Sequence, residues 1–238
     1  MAQVLNFHDA VVYDSDIALF RDGNWLNDNC INWYFRLLEH DVFPGEHRDI
    51  LFMDPAVVSC MVNQCDEPDE LLDLGRGIDV ASRTLVFVPV NDSVNDSADG
   101  LSLGSHWSLL VFARNKQDDD GFSFRHYDSS AGSNRGPAEK TAAQFVKMFG
   151  GMTGEPVVEQ VSDCPQQRNG YDCGMYTVLL AERLASEAIA SGSSISRGDV
   201  EGEQGSGVAS VPLITPEFVS EARSFARERL YRCIRDHT

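Results

Sequence analysis

Residues 84–129 constrain the fold more than any other part of the sequence. Thr84-Leu85-Val86-Phe87-Val88-Pro89-Val90 is a short apolar run rich in β-branched residues, which predicts a buried strand ending near its proline. After a polar Asn/Asp/Ser/Gly loop at 91–105, His106 to Ala113 predicts a second strand and Phe122 to Ser129 a third. Only the polar turn Arg114 to Gly121 separates these two, so they read as an antiparallel hairpin. Pro156 to Val161 predicts one more short strand. Helical spacing governs the flanks. Asn27 or Asp28 can cap a helix whose apolar residues Ile31, Tyr34, Phe35 and Leu38 carry it to about His40. Short helices are expected at 55–63 and 69–74, a longer one at 138–149, and a densely apolar, buried one at 174–190. A last helix starts near Thr215-Pro216 and continues through Phe218, Ala222, Phe225 and Leu230. The expected class is α+β, a central, mostly antiparallel sheet flanked by helices.

A chain of 238 residues has room for one domain, or at most two small ones, and 42% apolar residues suffice for a core. Charge narrows the partners. The formal net charge is −18, and the first hundred residues hold 19 of the 37 acidic groups but only 5 of the 19 basic ones. Phosphate backbones and anionic membrane surfaces attract basic patches, so neither nucleic acid nor membrane is an expected partner; a basic protein is. No apolar stretch approaches a membrane-spanning length, and the N-terminal residues lack the pattern of a secretion signal, so the expected compartment is the cytoplasm, the nucleus or both. Residues 191–211, rich in Ser and Gly, read as a flexible surface insertion.

Six cysteines are present, Cys30, Cys60, Cys65, Cys164, Cys173 and Cys233, without a C-x-x-C pair or a second ligand pair at zinc spacing. No metal or other cofactor is expected. Cys173 differs from the rest. A polar, turn-forming segment from Gln166 to Asp172 delivers it to the start of the apolar helix. A helix N-terminus carries about half a positive charge, which favours a thiolate, and its free N–H groups can hold a developing oxyanion. Gly174 next to it permits close approach of a carbonyl. A base is available from the hairpin. If its turn centres on Gln117, opposed residues have numbers summing to 234, and His106 faces Asp128 on the same side of the sheet. The carboxylate can then orient the imidazole. Nucleophile, base and orienting acid occur in the chain order His, Asp, Cys, unlike the Cys, His, Asn order of papain-like proteases.

Four blocks, Trp25-Leu26-Asn27-Asp28, His106-Trp107-Ser108-Leu109-Leu110, His126-Tyr127-Asp128-Ser129 and Gln167 through Cys173-Gly174, together resemble the signatures of the Ulp-type (ubiquitin-like-protein-specific) cysteine proteases. They stand in the family order and span most of residues 10–235. The resemblance implies a cysteine-protease-like fold and a single peptidase domain over 1–238. It implies His106 as general base and later acid, Asp128 as its orienter, Cys173 as nucleophile and Gln167 as an oxyanion donor. Trp25 and Trp107 would enclose a Gly-Gly terminus, and Asp28 would face a basic residue of the modifier. Within the family the chain looks most like the deneddylase branch, the sentrin-specific-protease-8-like enzymes. It is little more than a catalytic domain, it has a long polar loop before His106, and Leu213-Ile214-Thr215-Pro216 leads into the last helix. The implied activity is cleavage after Gly-Gly of a ubiquitin-like modifier, most of all the neddylation one, by a monomer. The alternatives are a SUMO protease, an acyltransferase, and a module that binds the modifier without cutting. Two departures stand out: the acidic 114–121 turn is longer than usual, and the 191–211 insertion lacks an obvious counterpart.

Overall fold

The structure, a computed structural model, describes residues 1–46, 49–65, 67–94, 104–114, 121–150, 154–191 and 214–237. The acidic turn and the 191–211 insertion thus lie outside the described residues, apart from positions 114, 121 and 191. From the N-terminus, β1 (Gln3–Phe7) and β2 (Ala10–Tyr13) form a hairpin, then come α1 (Asp16–Leu19) and α2 (Asp28–Leu37), the latter closed by a π-helical turn at Leu38–Val42. β3 (Ile50–Phe52), α3 (Pro55–Asn63) and α4 (Pro68–Gly77) lead to β4 (Leu85–Asn91), β5 (Trp107–Arg114) and β6 (Phe122–Tyr127). α5 (Arg135–Phe149), β7 (Val158–Gln160), α6 (Cys173–Ser191) and α7 (Pro216–His237) complete the chain.

The strand order is β3-β4-β5-β6-β7. The expected antiparallel arrangement holds for the central β4-β5-β6 meander, while β3 and β7 each add a parallel edge, so the sheet is mixed. β4 runs through Pro89 to Asn91 instead of ending there. β3 pairs only as far as Phe87, which leaves the rest of β4 as an edge, where proline is tolerated. The β1–β2 hairpin, α1 and β3 are elements that the sequence pattern did not reveal.

Strand alternation divides the core in two. Leu85, Phe87, Leu109, Val111 and Tyr127 face α2, α6 and α7, and Val86, Val88, Leu110, Phe112 and Phe124 face α3, α4 and α5. On α7 the buried stripe is Val219, Arg223, Ala226, Leu230 and Cys233, whereas Phe218 and Phe225 are half-exposed. The expected stripe through Phe218 and Phe225 is therefore rotated, because an arginine occupies a core position.

Candidate active site

The hairpin register differs from the expected one. Leu109 faces Tyr127 and Arg114 faces Phe122, so opposed numbers sum to 236 rather than 234. Because side chains alternate with a period of two, this two-residue shift keeps every residue on its expected face. His106 and Asp128 become diagonal neighbours just beyond the ends of β5 and β6, still within side-chain reach. His106 Nε2 and Asp128 Oδ1 are 2.7 Å apart, and both residues are buried.

The strand ends explain how this pair is held. Asp128 Oδ1 accepts the N–H of Ser130 at 2.9 Å and Oδ2 accepts the N–H of Asn134 at 3.0 Å. Burial alone would raise the Asp128 carboxyl, but hydrogen bonds from His106, Asn134 and Ser130 outweigh it and lower it to about 2. Burial would likewise disfavour the His106 imidazolium, yet hydrogen bonds and charge attraction from Asp128 and Cys173 raise it to about 9. Two side chains fix the His106 backbone: Asp92 accepts its N–H at 3.0 Å, and Asn134 Nδ2 donates to its carbonyl at 3.2 Å. Asn134 also donates to Val90 O and Ser108 Oγ. Buried His126 sits behind, bonded to Ser108 Oγ at 2.8 Å and Gln160 Oε1 at 2.7 Å, and its burial holds it below the ordinary histidine value.

Cys173 opens α6 and is only 2% exposed. Since Nε2 of His106 faces Asp128, Nδ1 is the nitrogen left to exchange a proton with the thiol. The other core thiols sit differently: burial pushes Cys164 up to about 12 and raises Cys30 and Cys233 as well, which keeps them protonated and inert. Gly174 has a reason the sequence did not suggest. A Cβ there would stand 2.9 Å from Leu26 Cβ, so the glycine lets the Trp25-Leu26 segment lie against the nucleophile. Gln167 accepts from Ser129 Oγ at 2.8 Å and donates through Nε2 to Asn169 O at 2.6 Å, which leaves one N–H of its amide for a ligand.

The tryptophans play unequal parts. Trp107 is buried and its Nε1 donates to Leu26 O at 3.1 Å, while Trp25 remains 49% exposed. One ring thus anchors the backbone that presents the other. Asn27 is the residue that caps α2, accepting from Cys30 N at 3.0 Å, and buried Asp16 holds Asn27 and Asn29 from behind. Asp28 lies exposed at the first position of α2. Partial desolvation lifts its carboxyl above the ordinary value, opposed by its own backbone N–H and reinforced by Asp54.

A buried His–Asp pair beside a cysteine at a helix N-terminus is the architecture of a cysteine peptidase. The catalytic domain of the Ulp1 protease family, by its description "Ulp1 protease family, C-terminal catalytic domain", matches residues 24–204. The chain belongs to the Ulp1 protease family. Among relatives, sentrin-specific protease 8 of Rattus norvegicus is 34% identical over 181 residues, covering 76% of this chain and 78% of its own. NEDD8-specific protease 1 of Arabidopsis thaliana is 28% identical over 225 residues, covering 93% and 89%. The fold is similar to the C-terminal Ulp1 protease domain solved in complex with Smt3, the yeast ortholog of SUMO, with a TM-score of 0.66, 15% identity and coverage of 98% of this chain and 88% of that one.

This Ulp1-family chain is a cysteine-type peptidase. The structure brings His106, Asp128 and Cys173 together, with Gln167 on the loop that leads to Cys173 and Trp107 tied to the Trp25 segment. The sequence reading missed Asp92, Asn134 and the pair Asp172–Arg223. Asp172 stood in view beside Cys173, but Asn134 and Arg223 are fixed by tertiary contacts that leave no local mark.

Proposed function

We propose that the chain is a thiol isopeptidase and processing peptidase that cleaves after the C-terminal Gly-Gly of the neddylation modifier. The observation that carries the chemistry is the buried His106–Asp128 pair, 2.7 Å apart, with Cys173 at the N-terminus of α6 close enough to help raise the imidazole. The names of the relatives, sentrin-specific and NEDD8-specific proteases, support the choice of modifier.

In this reading His106 Nδ1 takes the thiol proton, and the Cys173 sulfur attacks the carbonyl of the modifier's terminal glycine. The oxyanion is held by N–H groups of the first turn of α6 and by the Gln167 amide. The imidazolium then returns its proton to the departing lysine amine, leaving a thioester on Cys173. A water, deprotonated by His106, attacks the thioester and releases the carboxylate and the thiol. Asp128 keeps the ring oriented and stabilises its charge throughout. Trp25, exposed beside the nucleophile, and Trp107 form the walls of a slot narrow enough to favour glycine, and Asp28 meets a basic group of the modifier. The site is complete within one chain, which supports a monomer. Cys30, Cys60, Cys164, Cys173 and Cys233, standing as thiols outside any disulfide, support a reducing compartment, the cytoplasm or nucleus.

The test is turnover of fluorogenic Gly-Gly-terminated neddylation modifier, SUMO and ubiquitin. Preference for the first is expected. Preference for SUMO moves the assignment to the sister specificity, and turnover of none refutes the proposal.

A further inference from the structure

Arg223 is the largest charged side chain buried in the described structure, 1% exposed, and each of its nitrogens is used. Nε donates to Asp172 Oδ1 at 2.7 Å, Nη2 to Tyr171 O at 3.0 Å, and Nη1 to Leu19 O at 3.1 Å and Arg21 O at 3.3 Å. One residue of α7 therefore clasps the loop that precedes Cys173 and the loop that precedes Trp25. A buried ion pair is weak evidence of a stabilising role, because an apolar replacement of similar volume often does as well.

The position of Asp172 suggests the reason. Its carbonyl accepts the N–H of Tyr176 at 3.0 Å, which makes Asp172 the capping residue of α6. An aspartate at that position ordinarily turns its carboxylate onto the first-turn N–H groups. Here both oxygens are engaged elsewhere: Oδ1 by Arg223, and Oδ2 by Asn169 Nδ2 at 2.7 Å. Asn169 adds a second hold, since its Oδ1 accepts the N–H groups of Tyr171 and Asp172. Among the described residues, the N–H groups of Cys173, Gly174 and Met175 have no hydrogen-bond partner.

We infer that Arg223 is a positioning residue for the reaction: by drawing the Asp172 carboxylate aside and neutralising it, Arg223 keeps the N-terminal N–H groups of α6 open to the substrate oxyanion. The inference rests on the peptidase reading above. Without Arg223 the carboxylate swings onto those N–H groups, occupies the oxyanion site and sets a negative charge against the developing one. Arg223 is buried, so its replacement alters no exposed surface on which the modifier docks.

The experiment measures kcat and KM on the Gly-Gly-terminated fluorogenic modifier that the parent enzyme turns over, with a thermal melt for each variant. Arg223→Met should lower kcat on the order of 10²-fold, the cost of losing an oxyanion donor, with KM within about threefold of the parent. Adding Asp172→Ala to Arg223→Met removes the intruding carboxylate and should return kcat by about tenfold. A double variant no better than Arg223→Met, or a loss confined to KM, overturns the inference. If Arg223→Met does not fold, Arg223→Lys takes its place: a kcat loss relieved by Asp172→Ala upholds the inference, and one deepened by it, or no loss at all, overturns it. An inactive parent would sink the peptidase reading together with this inference, whereas an active parent that fails the rescue sinks only the inference.

Discussion

His106–Asp128 and Arg223–Asp172 are two buried acid–base pairs, each 2.7 Å apart, each flanking Cys173. They differ in what the cation can do. Imidazole gives up and regains a proton near neutral pH, so the first pair can move protons during turnover. A guanidinium keeps its charge, so the second pair is a fixed strut. They also differ in their supports. Asp128 is held by backbone N–H groups of a tight turn, and Arg223 holds backbone carbonyls of two loops. A nucleophile at a helix end thus needs a mobile charge on one side and an immobile one on the other, the second acting only through what it keeps out of the way.

Breaking the proton-moving side has the largest expected effect. His106→Gln should reduce kcat on the order of 10⁴-fold or more in single-turnover assays, because both the base and the acid disappear. Asp128→Asn should cost on the order of 10³-fold to 10⁴-fold, since an amide presents the wrong hydrogen-bonding partner and cannot stabilise imidazolium. A loss under tenfold in either would erase the distinction between the two pairs.

The pH response separates them next. His106 is raised to about 9, so the stability it contributes is complete below the ordinary imidazole value and is lost as pH rises through about 9. Asp128 is lowered to about 2, so its contribution is present above the ordinary carboxylate value and is lost as pH falls through about 2. Melting temperatures of the parent and Asp128→Asn should converge as pH rises from about 6.5 past about 9. Activity should fall over the same upper limb, as the imidazolium needed to protonate the leaving amine disappears. A flat profile to pH 10 would contradict this assignment.

These contrasts also show what was legible in the sequence. The hairpin, the helix behind Cys173 and the face shared by His106 and Asp128 followed from apolar runs and strand alternation. The register missed by two, yet the face survived because alternation repeats every two residues. Arg223 was hidden for the opposite reason. Periodicity assigns apolar residues to the inner face of α7, so the stripe drawn through Phe218 and Phe225 carries no sign of a buried arginine. Its burial depends on four acceptors contributed by segments about 50 and 200 residues away. β3, three residues long, and the N-terminal hairpin were missed because short apolar runs carry no decisive period.

Smaller effects sharpen the account around the pairs. Gly174→Ala should reduce kcat/KM by about tenfold, as the added methyl displaces Leu26 and with it Trp25; a neutral result would mean the segment shifts without consequence. Binding of modifier to Cys173→Ala, which should cleave nothing, should weaken several-fold between low and physiological salt, because the first hundred residues carry 19 acidic groups against 5 basic ones. Salt-independent affinity would reduce that acidity to a solubilising surface.

The central claim is that one thiol of six is chemically distinct because His106–Asp128 stands against it. The direct measurement is peptide mapping by mass spectrometry after reaction with a neddylation modifier bearing a C-terminal electrophile. The account predicts a single adduct on Cys173, lost in His106→Gln. An adduct on Cys30, Cys60, Cys65, Cys164 or Cys233, or equal labelling of Cys173 in His106→Gln, would contradict it.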